Sequence, residues 1–354
     1  YHSDNIKYYD QKSNFLFFTA HGVNKEIDPY YEHTYKVSLN GGIPKSLNMG
    51  DFITMTYPSD NHKFFVNNFS RVNTTPKSNL VNSDGSVLMN LETADLSALF
   101  ESGYKFPETF KAKADDGITD LYGVIYKPFD FDENKKYPLL EYVYPGPQTE
   151  AVNKDFSVRM DRLDRMAQLG FIVITLGNRG GHPDRSKWYH NYGYGNLRDY
   201  GLADKKYVAQ QLANRHNFID INRVGIYGHS GGGFMSTAAI LVYPDFFKVA
   251  YSQAGNHDNS IYNSWWSETH HGITEETDDE GNIKYTYDID KNQSLAKNLK
   301  GHLYLVTGDM DNNVHPGATF RMANALIKAN KKFGFMILPS QRHGFGNMSE
   351  YNFR

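Results

Sequence analysis

The chain has no cysteine among its 354 residues, which removes disulfides and thiolate-bound metals from consideration. It has no apolar run near the roughly 18 residues that a membrane-crossing helix needs. Neither sign of charge is in surplus: 37 Lys and Arg stand against 40 Asp and Glu, a formal net charge of −3, so nothing points to a nucleic-acid partner. The first residues, Tyr1-His2-Ser3-Asp4, show neither an initiator Met nor the charged-then-apolar pattern of a signal segment. The chain therefore reads as a stretch of a longer protein, and the absence of cysteine leaves its compartment open.

Aromatic residues are plentiful, with 26 Tyr and 23 Phe, which suits strand-rich folds and clefts walled by rings. The length predicts about two domains. From residue 1 to about 105, short alternating runs are separated by turn residues, the pattern of an all-β region. Strands are expected at Phe15–Thr19, His33–Leu39, Phe52–Tyr57, Lys63–Phe69, Asn79–Asn82 and Val87–Leu91. Asn40-Gly41-Gly42 and Asp84-Gly85 supply hairpin turns. Residues 51–92 hold four strands, the size of one propeller blade, and the preceding 50 hold a second.

From residue 106 to 354, apolar strands alternate with amphipathic segments, which predicts an α/β domain with a doubly wound, mostly parallel sheet. The expected strands are Leu121–Tyr126, Leu139–Tyr144, Phe171–Leu176, Val224–Tyr227, Val249–Gln253, Leu303–Thr307 and Phe335–Leu338. Helices are expected at Arg159–Leu169, Leu197–Ala213, Gly232–Val242 and Ala318–Asn330. Thr274–Asp290 is polar, acidic and turn-rich, and reads as a surface insertion without chemistry.

The residues that carry chemistry begin at Arg223-Val224-Gly225-Ile226-Tyr227, which runs into Gly228-His229-Ser230-Gly231-Gly232-Gly233 and then into a helical segment. A strand, a Gly-x-Ser-x-Gly turn and a helix make a nucleophile elbow. Its glycines leave room for a strained turn that lifts the Ser230 hydroxyl to a helix N-terminus. A phosphate-binding loop would need a Lys after the glycines, and none follows.

A serine needs a base, held in turn by an acid, and in α/β-hydrolases these follow in the order Ser, acid, His. The loop after Leu303–Thr307 contains Asp309 and Asp311, either of which fits the acid. The loop after Phe335–Leu338 contains His343, the expected base. His315, next to Pro316, fits a helix start.

These residues together resemble the prolyl oligopeptidase family, dipeptidyl peptidase IV branch. The resemblance covers the β-rich segment, Lys136-Tyr137-Pro138-Leu139-Leu140, Val143-Tyr144-Pro145-Gly146-Pro147, the elbow, Asp311-Asn312-Asn313-Val314-His315 and Arg342-His343-Gly344. It implies an α/β-hydrolase domain preceded by part of a β-propeller, and it selects Asp311 over Asp309. It further implies an oxyanion hole made by the Tyr144 hydroxyl and the backbone N–H of Gly231. Tyr262 and Trp266 would wall a P1 pocket from one helical face, with Val314 completing it. Asn259 stands where the family has a ring, which implies a wider or more polar pocket.

The implied activity is a serine peptidase that forms an acyl-enzyme and releases N-terminal dipeptides after Pro or Ala, without metal or organic cofactor. An oligopeptidase, acylaminoacyl-peptidase or esterase of the same fold is the alternative chemistry, and a non-catalytic binding protein the alternative class. The partner implied is a peptide, with room for a homodimer through the hydrolase part and export to the periplasm or beyond. The family's paired glutamates for the substrate amino terminus have no match in residues 1–105, and Glu275-Glu276 lies outside that motif. Metal binding by the adjacent His270 and His271 has little support, because neighbouring side chains diverge.

Overall fold

A computed structural model describes residues 2–48, 50–157, 162–286 and 289–346. Two four-stranded antiparallel sheets come first, each with its strands in chain order. One consists of β1 (His2–Asp10), β2 (Phe15–His21), β3 (Glu32–Ser38) and β4 (Lys45–Ser46). The other consists of β5 (Ile53–Pro58), β6 (Phe64–Ser70), β7 (Lys77–Asn82) and β8 (Val87–Thr93). A four-stranded meander is the form of a propeller blade. Phe17 and Leu47 of the first sheet segment share one apolar cluster with Phe65 and Val81 of the second. Strands β1 and β4 lie outside the expected set: β1 is mostly polar and lies at a sheet edge, where only one flank is paired.

After the short helix α1 (Ser97–Glu101) an eight-stranded sheet begins with β9 (Glu108–Lys113), β10 (Asp120–Tyr126) and β11 (Tyr137–Tyr142). The chain then passes through α2 (Arg162–Gln168), β12 (Ile172–Leu176), α3 (Lys187–His190), α4 (Leu202–Arg215), β13 (Ile219–His229), α5 (Gly231–Val242) and β14 (Phe247–Gln253). Helix α6 (Ser264–His271), a hairpin of β15 (Thr274–Thr277) and β16 (Ile283–Thr286), β17 (His302–Gly308), α7 (Gly317–Lys328) and β18 (Gly334–Leu338) complete it. The sheet order is β18-β17-β14-β13-β11-β12-β10-β9. Pairings from β12 through β18 are parallel, whereas β9 and β10 pair antiparallel at one edge. Strand β9 was not expected, since its Glu-Thr-Phe-Lys-Ala-Lys sequence is half charged, as suits an edge.

Alternation along the strands shows why both faces are covered. On β11 and β12, Leu139, Ile172 and Ile174 enter the large core against α4 and α5, while Leu140 and Val173 face Leu163 and Ala167 of α2. Successive side chains point to opposite faces, so a run of apolar residues signals a strand buried on both. Val72, from beyond β6, joins the α2 cluster and ties the second small sheet to this core.

Helix α5 is apolar all round, with Gly232 through Leu241 buried, and it runs through the middle of the fold. Helix α4 starts at Leu202 rather than at the expected Leu197. The Asn196 side chain accepts from the Asp199 amide, and Gly201 lies tight against Asn178, so residues 196–201 form turns instead. Residues 159–161 of the expected helix Arg159–Leu169 lie outside the described residues. No helix among the described residues is long and apolar enough to cross a membrane.

Candidate active site

The elbow follows from steric limits on its glycines. A side chain at Gly228 would place its first carbon 2.3 Å from the Val143 carbonyl oxygen, and one at Gly232 would place it 2.0 Å away. Both residues flank Ser230 by two positions and press on the end of β11. Only glycine permits this approach. Ser230 itself takes φ +58° and ψ −121°, a conformation that costs an L-residue energy and persists because its surroundings enforce it. Its N–H donates to the Gln253 carbonyl at 2.8 Å, and its carbonyl accepts the Phe234 N–H at 3.0 Å. Ser230 is thus held between the end of β14 and the first turn of α5, at the positive end of the helix dipole.

Asp311 and His343 meet from separate loops. Asp311, in the loop after β17, is buried, and its Oδ2 lies 2.7 Å from His343 Nδ1. Its Oδ1 accepts the Asn313 and Val314 amides, each at 2.9 Å. One oxygen is therefore held by the loop and the other points at the imidazole. Asp309, the other acid considered, is exposed at the start of the same loop. His343 follows β18 and is half-buried. Its ring centroid is 4.7 Å from that of His229, the residue before Ser230, which places the imidazole beside the elbow. Phe345, fully buried at φ +48°, packs edge-on against His229 at 5.3 Å and anchors the loop from behind.

Ser230 and Gly231 open on a cavity of about 190 Å³. One rim is the loop that continues β11, with Tyr144, Pro145 and Gln148. Tyr262 and Trp266 form an aromatic wall, their rings 5.4 Å apart at 80°. They do not share a helix, however: Tyr262 is extended, at φ −89° and ψ −173°, and α6 begins two residues later with Asn263 as its cap. The Tyr262 hydroxyl donates to Asn313 Oδ1 at 3.0 Å, which fixes the outer end of that ring.

Val314, expected in the pocket, is buried and does not line the cavity; its neighbour Asn313 does. The amide of Val314 serves Asp311 instead. Sequence reasoning gave no role to Asn313, Asn256, Gln148 or Tyr200, all of which face the cavity. Asn313 stood within the Asp-Asn-Asn-Val-His run, so a signal existed for it. The others arrive from distant loops and carried none.

Asn259, which stands where the resemblance implies a ring in the family, is buried and forms part of an amide chain: Asn256 Nδ2 donates to Asn259 Oδ1 at 2.6 Å, and Asn259 Nδ2 lies 3.2 Å from His271 Nε2. Burial pushes His271 down to about 4, so its ring is neutral at ordinary pH. His270 lies tilted against Trp266 at 4.9 Å, and His271 meets the same ring edge-on at 6.2 Å. No group of three or more His, Asp or Glu side chains among the described residues is arranged to hold a metal ion. Glu275 and Glu276 lie on the exposed β15–β16 hairpin.

The cavity rim is also tied to the first small sheet. Glu150, just past the Tyr144–Gln148 loop, accepts the hydroxyls of Tyr30 and of Tyr189, the latter at 2.8 Å. Lys154 pairs with Asp28 at 2.5 Å, and the Arg185 guanidinium lies over the rings of Tyr30 and Tyr189. Burial first, and the Glu150 charge second, hold the Tyr30 hydroxyl well above its usual range, so it stays a donor.

Comparisons with known proteins agree with this architecture. The model of the prolyl oligopeptidase family matches residues 156–353, more than half of the chain. Human dipeptidyl peptidase 8 is 33% identical over 241 residues, which cover 68% of this chain and 26% of that protein. Bovine prolyl endopeptidase FAP is 31% identical over 248 residues, 68% of this chain and 31% of that one. A solved structure described as a dipeptidyl aminopeptidase IV from Bacteroides ovatus superposes with a TM-score of 0.80 at 27% identity, over 96% of this chain and 47% of that one. Porphyromonas gingivalis dipeptidyl peptidase 4 shares the fold, with a TM-score of 0.81 at 24% identity over 99% of this chain and 48% of that one. The chain spans less than half of each of these proteins. Its small antiparallel sheets and large mixed sheet are thus part of a β-propeller followed by an α/β-hydrolase fold, and the chain belongs to the prolyl oligopeptidase family of serine peptidases.

Proposed function

We propose that this chain carries the catalytic apparatus of a peptidase working by acyl transfer, with Ser230 as nucleophile, His343 as base and Asp311 as the group that orients it. The observation that carries this reading is the 2.7 Å contact between Asp311 and His343 beside a strained Ser230 that opens on a cavity. In the first step the Ser230 hydroxyl oxygen attacks the scissile carbonyl carbon while His343 takes its proton. The negative oxygen that forms is stabilised by the Gly231 N–H and the Tyr144 hydroxyl, donors on two sides of the same cavity. Collapse expels the amine, protonated by the imidazolium, and leaves an ester on Ser230. Water then attacks that ester with His343 again as base. Asp311 keeps the Nδ1 proton in place and balances the imidazolium charge throughout.

A boundary near residue 105, with 1–105 as propeller blades and 106–354 as the hydrolase domain, belongs to the same reading. Proline or alanine at P1 and release of N-terminal dipeptides come from the resemblance and from relatives named as dipeptidyl peptidases. The flat rings of Tyr262 and Trp266 support a proline ring, which has no N–H to satisfy.

The test is labelling of the full-length protein with a fluorophosphonate, followed by turnover of free and N-blocked X-Pro and X-Ala chromogenic substrates. Labelling lost in Ser230→Ala and turnover confined to free amino termini are expected. Equal labelling of Ser230→Ala would end the hydrolase reading, and equal turnover of blocked substrates would replace dipeptide release with an oligopeptidase or acylaminoacyl-peptidase.

A further inference from the structure

Among the described residues no charged side chain lines the cavity next to Ser230: its polar side chains are the hydroxyls of Ser230, Tyr144, Tyr200 and Tyr262, the Trp266 indole N–H, and the amides of Gln148, Asn256 and Asn313. Among these, Asn256 is unusual. It is only 5% exposed, and its Oδ1 has no hydrogen-bond partner among the described residues. Its Nδ2 is committed to Asn259 Oδ1, and Asn259 in turn to His271. With a neutral His271 accepting at Nε2, the two amides can take only one orientation, and the Asn256 oxygen is the end of the chain left over. If His271 donated instead, both amides would turn together and Asn256 would present its NH2 group. In either arrangement one wall of an otherwise uncharged cavity offers a buried amide group with unmet hydrogen-bonding capacity, which is costly to leave unpaired.

We propose that the P1 pocket takes an uncharged primary-amide side chain, glutamine or asparagine, in preference to an apolar side chain of the same shape. The proposal rests on the serine-peptidase reading above and adds a substrate class to it. A primary amide both donates and accepts, so it satisfies Asn256 in either orientation. Its apolar methylene stem can lie against the rings of Tyr262 and Trp266, which line the same cavity. A carboxylate, like a lysine or arginine, would bury a charge without a counter-ion in the lining, and where Asn256 presents its oxygen the carboxylate would also meet another acceptor. A methionine would leave Asn256 unpaired. Proline would leave Asn256 unpaired as methionine does, so its fit rests on the rings of Tyr262 and Trp266 alone.

The experiment compares kcat/KM of the full-length protein for three matched substrates that differ only at P1, glutamine, methionine and glutamate, each with free and blocked amino terminus. Glutamine is expected to exceed methionine by about tenfold, with glutamate slowest. Asn256→Leu is expected to bring the glutamine-to-methionine ratio to one or below, while Ser230→Ala abolishes turnover of all three. Equal wild-type rates for glutamine and methionine, with turnover still dependent on Ser230, would overturn the amide preference and leave the peptidase reading standing. Turnover indifferent to Ser230, or none on any substrate, would remove both. The wild-type ratio decides the matter even where Asn256→Leu does not fold.

Discussion

The α-carbon of Gly232 lies so close to the carbonyl of Val143 that a methyl group there would come within 2.0 Å of its oxygen. Backbone meets backbone at that point, so no side-chain rotation can relieve the clash. Gly232→Ala is therefore expected to lower the unfolding free energy by about 3 kcal/mol. Because Val143 precedes Tyr144, it should also reduce turnover in whatever protein still folds. Chemical denaturation alongside phosphonate labelling checks both, and a variant equal to wild type in both would show that the elbow has slack.

Asp311 has one oxygen on the His343 ring and the other on two backbone amides. Asp311→Asn keeps the shape but offers the imidazole an NH2 group or a weaker acceptor. A fall in kcat of about 10⁴ is expected, with thermal stability changed far less. A loss under tenfold would place the orienting acid elsewhere.

Removing only the hydroxyl in Tyr144→Phe leaves the ring at the cavity rim. The expected outcome is a drop in kcat of roughly 10²–10³ with KM little altered, since the donor acts on charge that develops in the transition state. A change confined to KM would assign Tyr144 to ground-state binding.

Burial alone pushes His257 down to about 3 from an ordinary value of 6.5. Below about pH 6.5 the unfolded chain takes up a proton at His257 that the folded chain refuses until about pH 3. Stability contributed by the neutral ring is complete above pH 6.5 and declines as pH falls, by about 1.4 kcal/mol per pH unit. His271, lowered to about 4, acts in the same direction. Denaturant midpoints measured from pH 7 to pH 4 should show this slope, and His257→Gln should flatten it.

The hairpin that carries Glu275 and Glu276 is exposed along β15. Replacing both with Gln is expected to leave kcat/KM for free and blocked substrates within a factor of two. A larger loss limited to substrates with a free amino terminus would give this pair a part in binding that terminus.

What could be read from the sequence was what is local in it. Gly228 through Gly233 announce the elbow because the turn and its steric needs lie within six residues. That Asp311 and His343 lie in loops after strands could be read from the sequence, where the family resemblance chose Asp311 over Asp309, and the two side chains meet at 2.7 Å. Tyr262 and Trp266 were recognisable, yet four-residue spacing suggested a shared helix that the Asn263 cap forbids. The link between Asn256 and His271 was not legible, since hydrogen bonds among amides leave no periodicity. Strands β1 and β9 escaped for a related reason: at a sheet edge, a strand need not be apolar.

Helix α5 is enclosed on every side, while the cavity at its N-terminus is walled mostly by other segments: the loops after β11, β14 and β17, the turns before α4, and Trp266 of α6. This separates two design problems within one small volume. Ser230 sits on a part of the fold with almost no freedom to vary, whereas the side chains of Gln148, Asn256 and Asn313 reach the cavity from loops outside the elbow. Libraries built at those three positions should therefore redirect substrate choice while keeping the chemistry, which makes the loops, rather than the elbow, the place to engineer this enzyme.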